Sequence, residues 1–309
     1  MNEDYKGIPD QLSSRSQDRL EKYFKESDQG LAQFLLAKSD IGVCRNGGRR
    51  GAKYGPDAII NVFKKLADHL DKETTFNYSN VINDNCDDNF DELQKIEIEN
   101  IKNSLSTKNS KNVIHIGGGH DHIYPLLKAL ETKHDKILVL NIDAHLDTRV
   151  DPLFHSGTPF RQFANETKKD FKLIQLGIHD FANAKSNYNE LPGKGMDIYE
   201  QSLMKEWTKN FTESIGTYMN AITEDYSDYT FILSLDCDAI SSDVMDAVSA
   251  VNHRGIPGHT VSEIFNWYKL RNQNQHYYGI YEYNPLFDTL SQKGARYLSA
   301  LIYEVLTQN

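Results

Sequence analysis

The sequence predicts an α/β fold in which helices cover one continuous parallel sheet. Two observations carry this. Apolar runs of strand length alternate with segments of helical spacing, the pattern of βαβ units. Three clusters of charged residues each directly follow such a run, where parallel sheets place their ligands.

In chain order, the strand-like runs are Asp40–Cys44, Asn112–Ile116, Lys136–Ile142, Phe171–Ile178, Thr230–Leu235 and Tyr277–Tyr283. Each is apolar and bounded by turn or charged residues, as a strand buried on both faces must be. Helical spacing recurs over Pro56–Leu70, His122–Leu130, Glu200–Ile222, Thr260–Leu270 and Gly294–Leu306. The polar, Asn-rich stretch Asp71–Lys111 reads as an edge segment plus a solvated helix over Glu92–Leu105, not as a linker. The first forty residues read as helical decoration, with 1–38 set apart as an N-terminal addition to the domain. No repeat or low-complexity tract divides the chain, so one domain over 1–309 is expected.

Composition narrows the function. A net charge of −10 argues against nucleic acid and anionic membranes as partners. No apolar run reaches membrane-spanning length, and the N-terminus Met1-Asn2-Glu3-Asp4 lacks the basic and apolar regions of a signal peptide. Cys44, Cys86 and Cys237 are odd in number and scattered, which reads as reduced thiols in a cytoplasmic protein.

The clusters are Gly117-Gly118-Gly119-His120-Asp121, Asp143-Ala144-His145-Leu146-Asp147 and Asp236-Cys237-Asp238. In extended chain, residues two apart share a side, so Asp143, His145 and Asp147 converge, as do Asp236 and Asp238. Burying such charges after an apolar strand is costly unless they are paired or hold metal. Carboxylates with a minority of imidazoles suit Mn²⁺ better than thiolate-seeking metals, and so many ligands exceed what one tetrahedral zinc needs. A two-metal hydrolase is the first reading. The glycine run lacks the Lys-Ser/Thr of a P-loop; it reads as a sharp turn that lets His120 reach a ligand. His115 and His122 read as core or supporting residues.

Together the clusters resemble the ureohydrolase superfamily (arginases, agmatinases, formimidoylglutamases). Its Gly-Gly-x-His, Asp-Ala-His-x-Asp and Ser-x-Asp-x-Asp segments match Gly118-Gly119-His120, Asp143–Asp147 and Ser234–Asp238. The segments Gly48–Ile59 and Glu282–Asp288 resemble its flanking signatures, and the likeness spans roughly 40 to 306 in the family's order. The resemblance implies a three-layer α/β/α sandwich, arginase-like, with two Mn²⁺ per subunit. His120, Asp143, Asp147 and Asp236 would hold one ion, and Asp143, His145, Asp236 and Asp238 the other. A homo-oligomer is expected.

Within the superfamily, Asp147-Thr148-Arg149 followed by Ser156-Gly157-Thr158-Pro159-Phe160 looks most like formimidoylglutamase. The expected reaction is hydrolysis of N-formimidoyl-L-glutamate to L-glutamate and formamide in histidine degradation; a guanidino-compound hydrolase releasing urea is the alternative. Asp147 would orient and deprotonate water, and Glu282 would face the cationic amidine. Arg149 and Arg161 offer bidentate contacts to substrate carboxylates, although either Arg could instead pair with Asp147 or Asp151. His155 lies one residue before the place where relatives carry a proton-shuttling His, so it either shuttles protons or lines the entrance. A one-zinc deacetylase of related fold would leave His120 and one third-cluster Asp idle.

Overall fold

The computed structural model describes residues 17–70, 74–84, 89–191, 193–202, 204 and 214–307. The strands are β1 Gln29–Lys38, β2 Phe76–Asn83, β3 Asn109–Gly117, β4 Lys136–Ile142, β5 Asp170–Ile178, β6 Gly195–Glu200, β7 Thr230–Asp236 and β8 His276–Tyr281. They form a single eight-stranded sheet in the order β2-β1-β3-β8-β7-β4-β5-β6. Every pairing is parallel.

The helices are α1 Ile41–Arg45, α2 Gly55–Phe63, α3 Phe90–Thr107, α4 Ile123–Leu130, α5 Pro159–Glu166, α6 Ile215–Thr223, α7 Gly258–Lys269 and α8 Lys293–Leu306. Alternation along the strands divides the core into two layers. Phe34, Leu36, Ile114, Ile116, Leu138, Leu140, Leu233 and Ile280 face α2, α6, α7 and α8. Leu35, Val113, Ile137, Val139, Ile232 and Tyr281 face α3, α4 and α5. Burial on both faces leaves the interior strands without a solvent-facing side, while the edge strands β2 and β6 are partly exposed. The result is the expected α/β/α sandwich, with apolar packing on either side of the sheet.

Five of the six expected strands stand within three residues of their expected bounds. The sixth does not: Asp40–Cys44 opens into the short helix α1, whose Cys44 amide donates to the Asp40 carbonyl at 3.0 Å. The strand lies upstream instead, as β1 between β2 and β3. So the reading of the first forty residues as helical decoration fails over Gln29–Lys38. Its Leu-Ala-Gln-Phe-Leu-Leu-Ala run carries helix-forming residues and no alternation, and an interior strand of this kind is indistinguishable by period from a buried helix. Residues 1–16 and Cys86 lie outside the described residues, as does much of the expected helix 200–222, of which α6 is seen. The edge strand β6 was missed because its half-buried residues alternate weakly. Helix α2 stops at Phe63, short of the expected Leu70.

The helix α3 begins at an Asn89 cap, whose side chain accepts from the Asp91 and Glu92 amides. Among the described residues, Cys44 and Cys237 are free thiols, and no helix is long and apolar enough to cross a membrane.

Candidate metal centre

Four neighbouring strands deliver the site. His120 follows β3, Glu282 follows β8, Asp236 ends β7 and Asp143 follows β4, and these four strands are adjacent in the sheet. The site therefore sits at the carboxyl edge of the sheet's centre.

Gly118 shows why glycine precedes His120. A Cβ there would stand 1.8 Å from the Ser39 carbonyl oxygen, so only glycine lets the turn after β3 pass under the chain leaving β1. His120 itself is fully buried. Its Nδ1 lies 3.1 Å from Asp143 Oδ2, 2.8 Å from Asp147 Oδ2 and 3.2 Å from Asp236 Oδ2. Its Nε2 hydrogen-bonds Ser234 Oγ at 2.9 Å, and its ring stacks on Tyr281 at 5.1 Å. Ser234 belongs to the third motif, and its place two residues before Asp236 on the same strand side is the sequence signal that it supports His120.

The second cluster curls around one backbone loop. Asp143 Oδ1 accepts from the His145 amide at 2.7 Å, and Asp143 Oδ2 from Asn141 Nδ2 at 3.1 Å. Asn183, which sequence reasoning did not single out, holds this loop from below: its Oδ1 accepts from Leu146 N–H, and its Nδ2 donates to the Ala144 carbonyl. His145 Nδ1 stands 3.1 Å from Asp238 Oδ2 and 3.7 Å from Asp143 Oδ1. Asp236 Oδ1 caps the Asp238 amide at 2.8 Å. Asp147 and Glu282 both occupy left-handed backbone, at φ 51° and 65°. Non-glycine residues adopt that region at a cost and favour it at functional sites.

The expected ligands form two overlapping groups, His120, Asp143, Asp147, Asp236 and Asp143, His145, Asp238. Within each, the ligand atoms lie within 4.8 Å of one another. Asp143 belongs to both; Asp236 falls in the first.

Electrostatics says what this cluster lacks. Burial, then the Asp236 and Asp147 charges, push Asp143 up to about 7. Burial and the Asp238 charge push Asp236 up to about 7. Burial and the Asp236 and Asp238 charges hold Glu282 well above the usual carboxylate range. The Asp238 carboxylate raises His145 to about 11. His120 Nδ1, which points into the cluster, and Asp238 Oδ1 are buried without a hydrogen-bond partner. Mutually repelling carboxylates around orphaned ligand atoms are a donor set that fits divalent cations of the Mn²⁺ type.

A cavity of about 740 Å³ opens onto the cluster, lined by His145, Asp147, Asp236 and Glu282 at its floor and by Asn46, Arg149, Ser156 and Asn187 higher up. Arg149 reaches it: Nη1 donates to Asn46 Oδ1 at 2.5 Å, and Nη2 pairs with Asp151 Oδ2 at 2.8 Å. Arg161 does not. Its guanidinium is 7% exposed and donates to the carbonyls of Thr148, Asn189 and Glu190, so the expected contact to a substrate carboxylate is replaced by a clamp on two loops. The cause is local. Arg161 lies in the first turn of α5, on the face directed at the Thr148 loop, and the buried Thr148 carbonyl demands a donor.

His155 is also turned away. Its Nε2 faces Asp151 Oδ2 at 2.8 Å, its Nδ1 accepts from Gly157 N–H at 3.0 Å, and it is absent from the cavity wall, which Ser156 joins instead. Asn46, quoted only within its motif, ties the wall together by donating to Ser156 Oγ. The flanking segments meet beside the mouth, where Asn284 Nδ2 donates to the Arg50 carbonyl at 2.9 Å.

Comparison with known proteins agrees with this geometry. The family model for the arginase family matches residues 36–307. A curated formimidoylglutamase of Staphylococcus aureus is 30% identical over 294 residues, covering 93% of this chain and 88% of the relative. Among solved structures, Trypanosoma cruzi formiminoglutamase with Mn²⁺ superposes with a TM-score of 0.76 at 21% identity, covering 94% and 97% of the two chains. Bacillus subtilis formimidoylglutamase gives 0.76 at 18%, covering 91% and 87%. Proclavaminate amidino hydrolase of Streptomyces clavuligerus gives 0.76 at 18%, covering 94% and 95%. At these identities the solved structures speak for the fold, while the family match and the Staphylococcus relative speak for descent. With the two ligand groups standing at the sheet's carboxyl edge, the chain belongs to the arginase family.

Proposed function

We propose that this protein is a binuclear Mn²⁺ hydrolase that cleaves N-formimidoyl-L-glutamate to L-glutamate and formamide. The observation that carries it is Asp143, whose two oxygens face two separate ligand groups at the floor of one cavity. His120, Asp143, Asp147 and Asp236 would hold one ion; Asp143, His145, Asp238 and the shared Asp236 would hold the other. The Mn²⁺ pair, when bound, supplies Lewis acidity and lowers the pKa of water between its ligands. The curated relative's name gives the substrate.

The residues divide the work. Glu282 lines the floor as a buried carboxylate, placed to fix the cationic amidine and to be returned to its ionised form by it. Asp147, on its left-handed turn, directs its carboxylate at the cluster. It takes the proton from the attacking water and passes it to the glutamate nitrogen as the C–N bond breaks. One water adds across the amidine carbon, and formamide and the free amine leave. Arg149, on the upper wall, receives a substrate carboxylate.

The test is a product assay on Mn²⁺-loaded protein. Formamide from N-formimidoyl-L-glutamate, with no urea from arginine, agmatine or guanidino acids, is expected. Robust urea release from a guanidino substrate would replace this reading with the alternative one. One ureohydrolase domain, a homo-oligomeric assembly and a cytoplasmic location belong to the same proposal, open to limited proteolysis, light scattering and cell fractionation.

A further inference from the structure

A buried carboxylate stands behind the metal centre without touching any of its ligands. Glu97 projects from α3 and is 1% exposed, beside Ile98 and Ile101, which pack in the apolar layer under the sheet. It has two arms. Its Oε2 accepts a hydrogen bond from His122 Nδ1 at 2.7 Å, while its Oε1 makes a close polar contact, 3.2 Å from His115 Nε2, without hydrogen-bond geometry.

Both imidazoles are held on their far sides as well. His122 Nε2 donates to the Ser39 carbonyl at 3.0 Å, and His115 Nδ1 shares a hydrogen bond of 2.9 Å with the Tyr281 hydroxyl. A carboxylate and a carbonyl only accept, so both nitrogens of His122 donate and the ring is an imidazolium. A second buried carboxylate, Asp121, lies 4.0 Å from His122 Nε2. Glu97 and His122 are thus a buried ion pair.

The two arms end on either side of His120. His122 closes the turn His120–His122 that carries the ligand, and Tyr281 stacks its ring on the His120 ring, at 25° between planes. One arm fixes the ligand's backbone and the other fixes its ring plane. Buried ion pairs stabilise little relative to apolar residues of the same size, and apart from Gln94 the rest of this buried α3 face is apolar. Stability alone is a poor reason for a charge there.

We propose that Glu97 is a positioning residue for His120, clamping backbone and ring so that Nδ1 is aimed at the cation site before metal arrives. Partners that orient metal-bound imidazoles typically govern affinity by about ten- to a hundredfold. The clamp rests on the metal centre proposed above, so the experiment separates the two.

Metal-stripped wild type and Glu97→Gln are titrated with Mn²⁺, reading bound and free ion by electron paramagnetic resonance. Wild type is expected to take up two ions. The variant should lose about ten- to a hundredfold in affinity at one site, hold the other unchanged and, at saturating Mn²⁺, recover kcat with KM unaltered. Glu97→Asp should restore part of the affinity; the exposed Glu92→Gln on the same helix should change nothing. Two ions bound equally well by wild type and Glu97→Gln, with only a lower Tm, overturn the clamp and leave the centre standing. A wild type that binds no Mn²⁺ overturns both. If Glu97→Gln does not fold, Tyr281→Phe cuts one arm while keeping the stacked ring; unaltered Mn²⁺ affinity in that variant also overturns the clamp.

Discussion

Arg149 and His155 meet on a single oxygen, Asp151 Oδ2, each at 2.8 Å. Because His155 Nδ1 accepts from the Gly157 amide, a neutral ring carries its proton on Nε2 and donates it to Asp151. The histidine therefore holds the carboxylate that holds the arginine, and Arg149 is presented at the cavity wall with Asn46 steadying its other end.

If Arg149 grips a substrate carboxylate, Arg149→Ala should raise KM with little change in kcat. Loss of one charge-assisted contact corresponds to a fall in kcat/KM of roughly ten- to a hundredfold. Steady-state kinetics with metal content measured in parallel checks this. An unchanged KM with two ions still bound removes Arg149 from the substrate site.

His155→Gln is expected to leave proton transfer intact, since the ring faces Asp151 and not the cavity. A general acid–base residue contributes about 10²–10⁴-fold. A loss of kcat well below that range, with KM raised through a loosened Arg149, is the expected pattern. A loss within it would restore His155 as a proton shuttle.

Arg161→Ala should act on stability. It leaves the buried Thr148 carbonyl without its donor, at a cost of about 1–3 kcal/mol, and frees the part-buried Asn189 and Glu190 carbonyls. Thermal unfolding should show a lowered Tm, and Arg161→Lys should not recover it, because one ammonium cannot span the carbonyls that the guanidinium fork reaches. A variant with wild-type Tm and a raised KM would return Arg161 to the substrate.

Metal-free protein should weaken as pH rises. Asp143 stands at about 7 when folded, raised by burial and by its aspartate neighbours, against about 3.9 in an unfolded chain. A carboxyl group raised in this way contributes stability that is fully present below pH ~4 and is lost as pH climbs through about 7. Chelator-treated protein should therefore lose Tm between these limits, and Mn²⁺ should reverse the loss above them. Asp143→Asn should flatten the metal-free profile and abolish both Mn²⁺ binding and turnover. An Asp143→Asn protein that retains full activity excludes the shared-ligand assignment.

The ligand residues were legible because their chemistry is local. Asp143, His145 and Asp147 alternate within five positions, and Asp236 and Asp238 repeat the spacing after another apolar strand. What the sequence could not show depends on distance. Nothing near Arg161 announces that its partners are the Asn189 and Glu190 carbonyls; the partners of His155, Asp151 and Gly157, are close in sequence, but only the path of the loop turns its ring onto them. Asn46 and Ser156 meet across 110 positions. The same holds for the fold: β4 and β7 announce themselves by composition and flanks, while β1 looks helical because only its neighbours β2 and β3 make it a strand.

The position of β8 bears on how the chain is made. It is the last of the eight described strands in chain order, yet it lies between β3 and β7 in the middle of the sheet. Without residues 276–281 the remaining strands would form two half-sheets, β2-β1-β3 and β7-β4-β5-β6, each with a bare apolar edge where β8 belongs, an arrangement prone to faulty pairing. Its arrival joins the halves and, one residue later, delivers Glu282 beside His120. Closure of the sheet and completion of the cavity floor are thus a single late event, and a chain stopped before β8 would have no partial activity to offer.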